Sequence, residues 1–381
     1  MNDKKRDNGV VVENLRRSVI DPLKQRFVGR DEVIDLIALA IVAREHLFLY
    51  GPPGTAKSAL IRQFAQGIDG RYFEYLLTRF SEPNEIFGPI DIARLREGTV
   101  ATVITRMLPE AEIVFLDELF NANSAILNNL LTVLNERVYR RGAESHRLPL
   151  VSLFSASNHL PEDDALGALF DRFLLRCPVR NLKREAMPSL LRAGWGLETA
   201  GPLATAVSAA DLLALSSEIP HVDPAAIMDA YVEIVFKIRD LGIAYSDRRA
   251  VKVLKLLAAS ALLCGRRQPN GSDFWVLRYV WDREEQIEPL AALINGVLEQ
   301  YAKEPGRHSL AEVSHQVDGD ELAKQLDAVE KQLEEKSQSL TALSRLKERV
   351  ADLADQAAWL TDPKSRTHLL DRTRKCIERL G

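Results

Sequence analysis

Five mostly apolar runs punctuate the first half of the chain: Leu47–Tyr50, Tyr72–Leu76, Ile113–Leu116, Leu150–Ala156 and Leu174–Cys177. Short apolar runs that end in polar or glycine-rich residues predict strands covered on both faces, the pattern of a parallel sheet. Between them, apolar positions at helical spacing predict helices over Glu13–Phe27, Glu32–Arg44 with Asp31 at its N-cap, Ala59–Gln66, Ala122–Leu134 and Ala165–Phe173. Strands alternating with helices predict an α/β fold. Two stretches break the alternation. Pro89–Leu95 and Thr99–Ile104 alternate on either side of an Arg96–Gly98 turn, and Arg137–Arg140 returns through His146–Leu148 after a turn at Arg141-Gly142. Both predict β-hairpins. A hairpin buries little of its own surface, so its place inside such a core needs a reason. Loops facing the pore of a ring would supply one.

From Leu182 the strand pattern stops, and Ala209–Leu215, Pro224–Leu241, Ser246–Cys264 and Gly271–Val280 read as helices. The character changes again after residue 300. Leu322, Leu326, Val329 and Leu333, then Leu340, Leu343, Leu346, Val350, Leu353 and Leu360, recur at helical spacing among Glu, Lys and Gln. Ser337-Gln338-Ser339 interrupts the phase, and Pro363 opens a last segment, Ser365–Leu380. A helical hairpin or a three-helix bundle follows. The expected organisation is a disordered start at 1–12, an α/β core at 13–182, an all-α region at 183–300 and a helical C-terminal region at 301–381, within the two or three domains that 381 residues suggest.

Composition narrows the function classes. A hydrophobic share of 46%, a charged share of 27% and a net charge of −4 describe a globular protein with no overall attraction to nucleic acid. Cys177, Cys264 and Cys376 are widely spaced and odd in number, which points to neither a disulfide framework nor a zinc site and suits a reducing cytoplasm. The charged start, Met1 to Asn8, precedes no apolar signal-peptide core, and no apolar run is long enough to span a membrane. The seven histidines form no ligand pair.

The candidate chemistry begins where the first run ends. Gly51-Pro52-Pro53-Gly54-Thr55-Ala56-Lys57-Ser58 is a Gly/Pro turn entering a helix at Ala59. Such a loop offers backbone N–H groups and a positive helix end to a phosphate. Lys57 would reach the β- and γ-phosphates, and Ser58 would ligate Mg²⁺. The general motif has glycine before the lysine, where this chain has Ala56. Alanine holds helical dihedrals, so only a site demanding φ > 0 would exclude it. Asp117 and Glu118 end the Ile113 run, where a parallel strand opens onto a ligand crevice. Asp117 would hold the Mg²⁺ shell through water, and Glu118 would orient or deprotonate the attacking water. For both segments to grip one phosphate, they should lie on adjoining strands. Asn158 after the next strand is either a turn former or the side chain that places that water. Arg172 either pairs locally with Asp171 or reaches a neighbouring subunit's γ-phosphate. Arg248 or Arg249, opening a helix capped by Ser246-Asp247, points back toward the nucleotide or into solvent. The Phe27–Asp31 turn is a candidate adenine pocket or an ordinary helix–turn–helix.

Taken together, Gly51–Ser58, Ile113–Glu118, Ser155–Asn158, Leu169–Phe173 and Ser246–Arg249 resemble the motifs of AAA+ ATPases, and within them the MoxR family, in its RavA-like branch. The resemblance covers about residues 11–290. It implies an AAA+ P-loop core with inserted hairpins, an all-α lid, and bound ATP and Mg²⁺. Lys57 and Ser58 resemble Walker A within the binding stretch Gly51, Pro52, Pro53, Gly54, Thr55, Ala56, Lys57, Ser58 and Ala59. Asp117 and Glu118 resemble Walker B, Asn158 sensor 1, Arg172 the arginine finger and Arg248 sensor 2. It further implies a homo-hexameric, chaperone-like ATPase that remodels client complexes with a partner carrying a von Willebrand factor A domain. Longer RavA-type proteins carry a small inserted domain, for which residues 301–381 show no strand pattern. Two rival readings are a nucleic-acid motor using Arg137, Arg140 and Arg141, and a nucleotide-gated scaffold.

Overall fold

The apolar runs are strands. In this computed structural model, which describes residues 8–142, 144–161, 164–197, 201–312, 319–334 and 363–380 with a few positions from 346 to 357, the strands in chain order are β1 (Leu47–Tyr50), β2 (Ile68–Asp69), β3 (Tyr72–Leu76), β4 (Ile113–Asp117), β5 (Val138–Arg141), β6 (Glu144–Arg147), β7 (Ser152–Ser157), β8 (Leu175–Pro178) and β9 (Val207–Ser208). Five of them form one sheet in the order β3-β4-β7-β1-β8, every pair parallel. All the carboxyl ends therefore face the same way. The three inner strands are almost wholly buried, which is why their sequences do not alternate.

The helix Asp31–Ala43 is buried at every residue from Val33 to Ala43, because the sheet lies on one side and the Asp247–Leu263 helix on another. Its continuous apolar sequence is that of a helix without a solvent face. Asp31 is its first residue rather than its cap: Arg30 occupies that position and offers no side-chain acceptor. Asp35 is buried within it and pairs with Lys24 at 2.7 Å.

The two insertions differ. The second is the expected hairpin, β5 against β6. In the first, Ile92–Arg96 is helical, started by Asp91, whose carboxylate accepts from the N–H groups of Ala93 and Arg94. Only one antiparallel bridge, Ile90 with Thr102, joins its arms. The Asx cap outcompetes the alternating pattern. Among the described residues beyond 182 the elements are helical apart from β9, which pairs with β2 in parallel, so strand structure does not wholly stop there. Gly271–Tyr279 is a buried 3₁₀ run rather than an α-helix, and Ile287–Gln300 is a further helix.

Residues up to Ala311 form one compact unit and those from Glu312 another. In the second unit, Gly319–Glu334 and Pro363–Leu380 are helices. Leu322, Leu326 and Val329 are buried with Leu346, Val350, Leu353, Leu369 and Cys376, and Arg372 pairs with Glu330 at 2.7 Å. The Ser337–Ser339 interruption and Leu340, Leu343 and Leu360 of the stripe lie outside the described residues.

Three buried titrating groups make stability depend on pH. His46 accepts the Leu153 N–H at Nδ1 and donates from Nε2 to the Leu134 carbonyl. Burial, with Arg137 nearby, pushes it down to about 3. Burial likewise pushes His308, stacked 4.5 Å from Trp275, down to about 3. Asp35 is raised to about 6, burial outweighing Lys24. Between pH 6 and 4 the two imidazoles bind protons only on unfolding, whereas Asp35 holds one only when folded. The net excess is one proton on the unfolded chain, so stability falls on acidification by about 1.4 kcal/mol per pH unit from these groups. Urea titrations across this range should show that slope, and Asp35→Asn should steepen it toward two protons.

Candidate active site

The loop after β1 is held by its neighbours before it turns. The Gly51 N–H donates to the Ser157 carbonyl at 3.1 Å, and the Val179 N–H donates to the Tyr50 carbonyl at 2.7 Å. Gly51 must be glycine, because a Cβ there would lie 2.1 Å from the Val179 carbonyl oxygen. The Thr55 hydroxyl closes the turn onto the Pro52 carbonyl at 3.0 Å. Ala56 then takes φ 66° and ψ 20°. The expectation that this position is helical is wrong: it lies in the left-handed region, where a Cβ costs about 1–2 kcal/mol.

The helix that follows, Lys57–Gln66, has no side-chain N-cap. Its first N–H groups are therefore available to an anion, with the helix dipole behind them. Lys57 is folded back, its ammonium donating to the carbonyls of Gly51 and Pro52 at 2.8 Å. Burial holds this ammonium below the usual lysine value; Asp117 and Glu118 oppose the shift, while Arg30 adds to it.

Ser58 donates from Oγ to Asp117 Oδ2 at 2.9 Å, so the loop and the acidic strand meet. They do so differently from expectation. β1 and β4 are not adjoining; β7 lies between them. The shared polarity of the parallel strands brings their ends together across that gap. Glu118 follows with φ 54° and ψ 48°, and its Oε2 is buried with no hydrogen-bond partner among the described residues. A buried carboxylate oxygen left unpaired is costly, and a water delivered for attack would satisfy it. The donor set also suits magnesium. No group of three or more His, Cys, Asp or Glu among the described residues could cage a metal; one hydroxyl beside one carboxylate matches an ion that keeps most of its waters and leans on phosphate.

Asn158 is exposed just beyond β7, with Oδ1 2.8 Å from His159 Nδ1. With Gly51, Pro52, Pro53, Tyr50 and Glu284 it lines a cavity of about 370 Å³. Tyr50 donates to Glu284 at 2.8 Å and Arg180 to Glu288 at 2.9 Å, so the helical region reaches the loop through residues 284–288. Arg248 is exposed and not among the cavity's lining. Arg249 is buried, bonded to Asp282 at 2.7 Å. Arg172 lies 3.8 Å from Asp171, and its Nε is buried without a partner among the described residues.

Arg30, within the Phe27–Asp31 turn that the sequence offers as a candidate adenine pocket, makes a contact that the sequence did not indicate. It donates from Nε to the Thr55 carbonyl at 3.2 Å, which brings the Phe27–Asp31 turn against the loop. Tyr50 and Glu284 were missed as well. No spacing marks such residues, because the contacts join segments far apart in the chain.

Comparison with known proteins gives the family and the fold. Residues 13–217 match the family described as the MoxR domain of MoxR-vWA-beta-propeller ternary systems, and residues 226–294 match the AAA lid domain. An uncharacterised protein of Methanocaldococcus jannaschii is 38% identical over 74% of each chain. The chaperone MoxR1 of Mycobacterium tuberculosis is 26% identical, covering 44% of this chain and 45% of that one. A solved structure of a candidate ATPase from Cytophaga hutchinsonii superposes with a TM-score of 0.62 at 20% identity, over 77% of this chain and 96% of that one.

The left-handed alanine yields a direct test. Ala56→Gly should raise unfolding stability by about 1 kcal/mol, since glycine adopts φ > 0 freely and loses part of that gain to its greater unfolded entropy. Urea melts of both proteins measure the difference.

Proposed function

The chain belongs to the MoxR family of AAA+ ATPases, and from that membership we propose a Mg²⁺-dependent ATP hydrolase that works at the subunit interfaces of a homo-hexameric ring to remodel a client complex. The observation that carries the reading is the meeting of Ser58 with Asp117 at 2.9 Å beside the unpaired Glu118 oxygen, at an uncapped helix start.

Gly51 to Ala59 would cradle the phosphates. Lys57 would leave its two loop carbonyls and turn to the β- and γ-oxygens. Ser58 would ligate the metal, with Asp117 behind a bridging water; bound magnesium would neutralise charge on the transferring phosphoryl group. Glu118 would take the proton of the attacking water, oriented from the other side by Asn158. Arg172 would stabilise charge in the neighbouring subunit's site, and Arg248, free of the contacts that lock Arg249, would reach the nucleotide from the lid. The insertions at 89–104 and 137–148 would face the pore. The matching family's description supports a partner carrying a von Willebrand factor A domain. Cys177, Cys264 and Cys376 form no disulfide with one another, and no helix among the described residues is long and apolar enough to cross a membrane; as a MoxR-type ATPase the protein would work in the cytoplasm.

The arginines of the nucleic-acid reading have partners within the protein, which favours the first reading. Arg137 donates to the carbonyls of Arg44 and Leu150, Arg140 pairs with Glu136 at 2.8 Å, and Arg141 donates to the Gly88 carbonyl at 2.9 Å. All three are engaged within the protein.

Glu118→Gln should bind ATP and lose turnover by about 10²–10⁴-fold, whereas Lys57→Ala should lose nucleotide binding; filter binding and phosphate release separate the two. An unchanged rate in Glu118→Gln would overturn the catalytic assignment. Arg172→Ala should bind nucleotide yet lose about 10³-fold in kcat. Mixing it with Glu118→Gln subunits should restore part of the activity, because the mixture rebuilds interfaces with an intact glutamate and an intact arginine.

A further inference from the structure

Arg176 is an arginine in the middle of a core strand, 1% exposed, in a position where the sequence pattern calls for an apolar residue. Its guanidinium joins two parts of the same compact unit. One Nη2–H donates at 3.1 Å to the Phe170 carbonyl, and the plane lies 4.0 Å from the Phe170 ring. Nη1 donates at 2.5 Å to Asp282 and also to the Trp281 carbonyl. Phe170 ends the helix that leads into Asp171-Arg172, and its carbonyl also accepts from the Phe173 N–H at 3.0 Å. The turn that presents Arg172 is therefore pinned at its first residue by Arg176.

The other end of the contact belongs to the lid. Asp282 Oδ1 is shared with Arg249 at 2.7 Å, and Oδ2 accepts from the Ala244 N–H at 2.8 Å. Arg249 also donates to the Val280 carbonyl at 2.5 Å. The neighbouring residues reinforce the joint: the Trp281 ring packs 6.3 Å from Phe170 and 6.2 Å from Tyr50, and Glu284 takes the Tyr50 hydroxyl. Residues 280–284 thus touch both the strand that leads into the phosphate loop and the turn that carries Arg172. Two buried guanidiniums on one carboxylate are a costly way to fill a core, and hydrophobic replacements of such groups are commonly neutral or stabilising. Burial and the nearby Arg249 hold Arg176 at about 9, against the pull of Asp282. What an arginine adds over an apolar side chain is a rigid fork with fixed donor directions.

We propose that Arg176 is a positioning residue, which ties the Arg172 turn to Asp282 of the lid, so that the arginine a subunit offers to its neighbour's site is oriented by that subunit's own lid. This rests on the reading that Arg172 acts in trans. It makes a prediction that a purely structural role does not: a subunit defective at Arg176 keeps a sound phosphate site of its own and fails only as a donor.

Arg176→Lys keeps the charge and loses the fork. In the full-length ring it should bind ATP as the wild type does, with KM changed less than twofold and kcat reduced about tenfold or more, by the loss of a bidentate anchor. Mixed with Glu118→Gln subunits, it should regain turnover in step with the Arg172→Ala and Glu118→Gln mixture measured beside it. Asp282→Asn, which loosens the same contact from the less buried lid side, should behave alike and keeps the test open if Arg176→Lys does not fold. If the Arg172→Ala mixture recovers and neither of the other two does, the positioning role is overturned while the trans arginine stands. If the Arg172→Ala mixture itself fails to recover, the trans reading falls, and this proposal with it.

Discussion

The hydrogen bond from Ser58 to Asp117 depends on β1 and β4 running in the same direction. Its two partners are 59 positions apart, one on the helix after β1 and the other at the end of β4, two strands that do not pair. β7 separates them and pairs with both. Reversing β1 or β4 alone would send its carboxyl end to the opposite edge. Because crossovers in parallel sheets run through helices on the sheet faces, the helices that bury the strands also return each chain end to the same side. The site is the place where three such returns, after β1, β4 and β7, arrive together.

Two residues at that edge carry backbone strain. Ala56 and Glu118 both adopt positive φ, and neither is glycine. Strained dihedrals persist where surrounding contacts over-determine them. Here the contacts are visible: Thr55 closes onto Pro52 ahead of Ala56, and the Glu118 N–H is held by Asp117 Oδ1 at 3.1 Å. The same Glu118 has one side-chain oxygen buried without a partner among the described residues. Glu118 thus combines a strained backbone with an unsatisfied acceptor. Each of these costs free energy that the surrounding contacts must offset.

The arginines show how unequal the information in a sequence can be. Arg137, Arg140 and Arg141 look like a basic patch in one dimension, yet each is bonded within the protein. Arg248 and Arg249 are adjacent and chemically identical; one is exposed, and the other is sunk 3% exposed against Asp282. Arg176 drew no attention, because one charge in an apolar run reads as an exception. Its partners are 6, 105 and 106 positions away. Local pattern reports on neighbours within a turn or two, and an arginine's role is set by whatever its long side chain meets.

The Gly/Pro loop that opens a helix, the acidic strand end, the strand–helix alternation and the second hairpin were legible from the residues, since each is a local pattern enforced by backbone geometry: burial on two faces removes alternation, and a loop that opens a helix needs Gly and Pro in order. The first insertion was misread, because Asp91 could serve equally as a strand residue or a helix cap, and only the arms' actual pairing decided it. Strand order, the left-handed state of Ala56, the orphaned oxygen of Glu118 and the Arg176–Asp282 joint belonged to the tertiary structure alone. All four depend on which distant segments come within hydrogen-bonding reach. Chain order carries no term for that distance; packing sets it.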